Sequence, residues 1–76
     1  MMSLQSYYIV LFKSVSHAMR AEKILKNEKI PFKIIPVPKS ISSECGVCIR
    51  FTPEYKEDIE AVFNGTVEYS DIRELN

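Results

Sequence analysis

Two cysteines, Cys45 and Cys48, stand two residues apart in P-V-P-K-S-I-S-S-E-C-G-V-C-I-R-F, Pro36 to Phe51. A Cys-x-x-Cys serves three chemistries: a redox dithiol, half of a metal site, or a nucleophilic thiol that carries a group. The thioredoxin type of dithiol places its first cysteine at a helix N-terminus, where the partial positive charge stabilises the thiolate. Here Cys48 runs into Ile49-Arg50-Phe51, a strand pattern, which argues against that type. Structural zinc takes four ligands, and the other candidate in the chain, His17, is remote in sequence. A four-cysteine site therefore requires two chains, so the single chain is assigned no metal and no cofactor.

A carrier needs one accessible sulfur. A cysteine thiol titrates near pH 8.5, so at neutral pH it gains from neighbouring positive charge or backbone N–H donors. Lys39, Arg50 and the N–H of Gly46 are the local candidates. Gly46 permits φ > 0 or a close backbone approach, as in a tight bend that presents Cys45 outward. Cys48 reads as the second residue of a strand and as a small hydrophobe. Cys45 thus ranks first as the reactive group. The hydroxyls of Ser42 and Ser43 are loop formers within reach of whatever that loop binds.

Strands must hold this loop. Tyr7 to Phe12 is β-branched and aromatic without a breaker, and both of its alternating sets are apolar, which predicts a central strand covered on both faces. Ser14 caps a helix from Val15 to about Glu28, with Ala18, Ala21, Ile24 and Leu25 on its apolar side. Phe32 to Val37 and Val47 to Phe51 are the strands that flank the cysteine loop. Thr52-Pro53-Glu54 opens a second helix, with Tyr55, Ile59, Val62 and Phe63 inward and Asn64-Gly65 as its stop. Val67 to Tyr69 makes a short last strand, and residues 71–76 form a polar tail. The order β-α-β-β-α-β predicts a single α+β domain over residues 1–76, a ferredoxin-like antiparallel sheet with two helices on one face. One apolar set of the first strand, with Cys48 and Arg50 beside it, is then left on the open face. A homodimer or a partner protein is the expected cover.

At 46% hydrophobic content the chain suits a compact domain rather than disorder. Residues 1–50 carry eight Lys/Arg against three Glu, a balance of +5, and the remainder carries −5. The basic side chains from Arg20 to Lys33 read as the solvated side of a helix, so no nucleic-acid partner is expected. The apolar run Tyr7 to Phe12 is too short for a leader or a membrane span. Two cysteines this close do not staple a secreted mini-protein, so a reducing cytoplasm is the expected location.

The quoted loop, together with F-K-S after the first strand, A-M-R-A-E-K-I-L on the helix and I-P-F-K-I-I-P-V-P beyond it, resembles the selenium/sulfur (Se/S) carrier protein-like family of small domains. The resemblance covers most of the chain. It implies a carrier role for Cys45 within an S-S-x-C-G motif made by Ser42, Ser43, Cys45 and Gly46, with Pro38 upstream. Cys48 is less firmly part of the family pattern, and its presence allows a second or resolving thiol without requiring one; the partners become proteins that donate and accept sulfur or selenium. The rival reading is a non-catalytic interaction module whose thiols are structural. No nucleophile-base-orienter set, phosphate loop or metal triad supports an enzyme activity.

Overall fold

A computed structural model of the chain describes residues 6–41 and 46–75. β1 (Tyr7–Leu11), α1 (Val15–Asn27), β2 (Lys33–Pro36), β3 (Val47–Phe51), α2 (Lys56–Phe63) and β4 (Asp71–Leu75) follow one another, with a 3₁₀ turn at Pro53–Tyr55 before α2. The four strands form one sheet in the order β2-β3-β1-β4, and every neighbouring pair is antiparallel. β1 and β2 are therefore parallel to each other with β3 between them, and β3 and β4 are parallel with β1 between them. That is the split βαβ arrangement twice over, the ferredoxin-like plan.

Ser14 caps α1 as its sequence predicts: its hydroxyl accepts from the His17 N–H at 3.4 Å and lies 3.1 Å from His17 Nδ1. The helix closes through a pair of bonds, Ile30 N–H to the Leu25 carbonyl and Lys29 N–H to the Lys26 carbonyl. Lys29 takes the left-handed conformation (φ 61°) that such a closure usually gives to glycine. Leu25 and Ile30, which meet across this cap, are both in the core. Thr52 precedes the 3₁₀ turn but its side chain makes no capping bond, and the α-helix proper starts four residues later than Thr52.

Two apolar clusters sandwich the sheet. On the helix side, Val10, Phe12, Ile49 and Phe51 pack with Ala18, Ala21, Leu25, Ile59 and Phe63. Tyr8 stacks on its cross-strand partner Phe51 at 5.9 Å between ring centroids. On the other side, Ile9, Leu11 and Cys48 form a second cluster with Ile35, Val37, Ile41 and Leu75 against it. This second cluster corrects the expectation of an open face: Ile9 is 0% and Leu11 4% exposed within one chain. The cover includes Val37 and Ile41, from the segment that leaves β2. Among the described residues the large apolar side chains that are exposed are Val15, Met19 and Ile34, none of which belongs to that face.

The last strand also departs from expectation. Residues 71–75 are not a tail but β4, paired with β1 over its whole length. Val67 is buried and Tyr69 packs its ring 5.9 Å from that of Phe63, so the apolar residues at 67–69 fill the core below the end of α2. An edge strand pairs through its backbone and tolerates the charges of Asp71, Arg73 and Glu74, which also discourage edge-to-edge association.

Candidate functional site

β2 and β3 build the support of the cysteine loop. Their register runs Lys33↔Arg50, Ile34↔Ile49, Ile35↔Cys48 and Pro36↔Val47, and the Val37 N–H donates to the Gly46 carbonyl at 3.1 Å to extend it by one pair. A turn follows, closed by the Ile41 N–H on the Pro38 carbonyl at 3.0 Å, with Lys39 and Ser40 exposed at its tip. Ile41 then packs against Ile9, Leu11 and Cys48. The segment is thus anchored on both sides of residues 42–45, by the partly buried side chain of Ile41 and by a backbone hydrogen bond at Gly46. Ser42, Ser43 and Cys45 lie between those anchors, outside the described residues.

The remaining residues of the expected site are separated. Cys48 is fully buried, level with Ile35 on one neighbouring strand and Leu11 on the other. Arg50 lays its guanidinium 4.2 Å from the centroid of the Tyr7 ring, four residues along β3 from Gly46. At about 3.3 Å per residue that is ~13 Å along the strand, so the structure does not bring Arg50 to Gly46. The one pKa displacement of note among the described residues is at Lys56 on α2, raised by its hydrogen bond and charge attraction to Glu60. It lies on the helix side of the sheet, whereas Val37 and Ile41 pack on the other.

Gly46 differs from its sequence reading. Its φ is outside the left-handed region and a Cβ built on it meets nothing within 4 Å among the described residues. The backbone conformation at 46 is therefore one that any residue can adopt. Gly46→Ala is expected to fold normally and to gain about 0.4–1 kcal/mol, since the unfolded chain loses freedom. A thermal melt checks it: the midpoint should hold or rise by a few degrees, and a fall would reveal a hidden constraint at this position.

Sequence reasoning missed two features. Ile41, a lone apolar residue between serines, packs on the cluster of Ile9, Leu11 and Cys48. Lys33 and Arg50 were visible as separate cations, but their pairing depends on register, which one strand does not reveal.

A family model described as "Putative Se/S carrier protein-like" matches residues 7–73. The chain belongs to this family. Neither a curated protein nor a solved structure matches it. In this Se/S carrier-like domain the match spans β1 to β3, both helices, the cysteine loop and the first three residues of β4. No group of three or more His, Cys, Asp or Glu that could hold a metal occurs among the described residues, and the four-cysteine bridge between chains would need Cys45, which lies outside them. No helix among the described residues is long and apolar enough to cross a membrane.

Proposed function

We propose that this Se/S carrier-like domain is a non-catalytic sulfur or selenium carrier and that Cys45 holds the cargo. The observation that carries the reading is the burial of Cys48: with that sulfur sealed against Ile9 and Leu11, any sulfur offered to a partner falls to Cys45. Membership of the family supports it.

In the loading step the Cys45 thiolate attacks the outer sulfur of a donor persulfide. A new S–S bond forms on Cys45, the donor's own S–S bond breaks, and the donor leaves as a thiolate that takes up the proton. Selenium transfers in the same way. The Gly46 N–H and the Lys39 ammonium stabilise the resulting anion, Ser42 and Ser43 donate to it, and Arg50 contributes at longer range. An acceptor protein then attacks the outer atom and restores the Cys45 thiolate. Under this scheme Cys48 serves as packing rather than as a resolving thiol. A reducing cytoplasm keeps Cys45 available between rounds. Donor and acceptor proteins meet the loop and not Ile9 or Leu11, which the chain itself covers, so a homodimer through that face is not needed.

Whole-protein mass spectrometry after incubation with a persulfide donor tests the reading. The wild type should gain the mass of one sulfur atom and Cys45→Ser should gain none. Undiminished loading of Cys45→Ser would refute it.

A further inference from the structure

The pairing register places three cations in one row across the sheet face opposite the helices: Lys33 is opposite Arg50, Arg50 opposite Ile9, and Ile9 opposite Arg73. Arg73 is neutralised by Asp71, with Nε 3.0 Å from the carboxylate. Lys33 and Arg50 have no carboxylate within ion-pair distance among the described residues. Like charges directly opposite on antiparallel strands repel. This pair nevertheless lines a shallow cavity of about 180 Å³ together with Tyr7, Pro31, Phe32, Phe51 and Thr52.

We propose that Lys33 and Arg50 form a binding site for a tetrahedral oxyanion, the phosphate-type group of a small organic molecule. The Arg50 guanidinium carbon lies over the Tyr7 ring at 4.2 Å from its centroid, a contact that holds the group at the cavity while its N–H groups remain to fork around two oxygens. Lys33, exposed on the neighbouring strand, supplies a second positive charge from another direction. The Thr52 hydroxyl caps no helix and is a third donor. Three donor residues around one cavity suit a tetrahedral group, whereas a planar carboxylate is satisfied by the arginine fork alone. Two unneutralised cations match a dianion. Pockets that enclose whole drug-sized ligands run from about 300 to 1,000 Å³, so this one takes the anionic end of its ligand and leaves the rest outside. The site lies some four residues down β3 from the cysteine loop and does not depend on the carrier reading.

Titration of the full chain with inorganic phosphate at low salt, followed by backbone amide shifts, tests the site. Saturable shifts are expected at Lys33, Arg50 and Thr52, with a dissociation constant on the order of 1 mM. Arg50→Gln should weaken binding roughly tenfold or more, and Arg50→Lys, which keeps the charge but loses the fork, should weaken it less. Lys33→Gln alters an exposed side chain and serves as a second variant that keeps the fold; it too should weaken binding. Absence of saturable shifts, or equal shifts in the Lys33→Gln variant, would overturn the proposal. Acetate bound as tightly as phosphate would overturn the tetrahedral assignment.

Discussion

In a Cys45→Ser variant, alkylation of Cys48 under native conditions is expected to run about a thousandfold slower than in denaturant at the same pH. Cys48 is 0% exposed, and its strand is interior, paired with β2 on one side and β1 on the other. A reagent reaches the sulfur only when those pairings open, so the labelling rate is the chemical rate multiplied by the open fraction. A chain of this size is stabilised by roughly 4–11 kcal/mol, and the lower end alone holds the open fraction near one in a thousand. An edge strand could fray for much less, but β3 cannot leave without exposing Ile49 and Phe51 from the helix-side core as well. Labelling followed by mass spectrometry gives the ratio directly. A ratio within tenfold of unity would show that the sheet face opens readily. Cys48 would then be available to attack a loaded Cys45, and the resolving role that its presence allows would return.

This result bears on how far residue patterns could be read. The unbroken apolar run at Tyr7 to Phe12 announces a central strand because both alternating sets need cover, and the structure supplies two clusters. Which set faces the helices was not legible, since that depends on how β1 registers with Phe51 and Ile49. The period-2 alternation of Cys48 and Arg50 against Val47, Ile49 and Phe51 correctly places the cysteine and the arginine on one face. Val67 and Tyr69 misled because β propensity measures fit to a half-buried surface, and a core plug next to Phe63 is also such a surface. Residues 71–75 were hidden for the converse reason: an edge strand needs only its backbone to pair. Within the loop, cysteine and serine drew attention to chemistry, while the side chain that packs on the sheet is the isoleucine at 41.

Ile9→Ala is expected to cost about 3 kcal/mol, within the 2–5 kcal/mol typical of a buried Ile-to-Ala truncation. Such a loss approaches the whole stability of a small domain, so the variant should unfold at markedly lower urea with an unchanged slope. Ile9 sits in the middle of the sheet, between Arg50 on β3 and Arg73 on β4, and the stems of those arginines cannot shift inward without withdrawing their charged heads from water. The cavity left by truncation therefore stays largely unfilled, which is the condition for a large cost. The Ile41 segment lies over the same cluster, so Ile41→Ala should cost less alone and combine with Ile9→Ala non-additively, because the two remove one shared set of contacts. The same measurement decides what covers the sheet. On a solvated face, truncating a strand isoleucine costs no more than about 1 kcal/mol. A loss that small would mean Val37 and Ile41 do not seal the face in solution, and would return Ile9 and Leu11 to the role of a docking surface. A loss near 3 kcal/mol leaves the cysteine loop as the place where a partner must arrive.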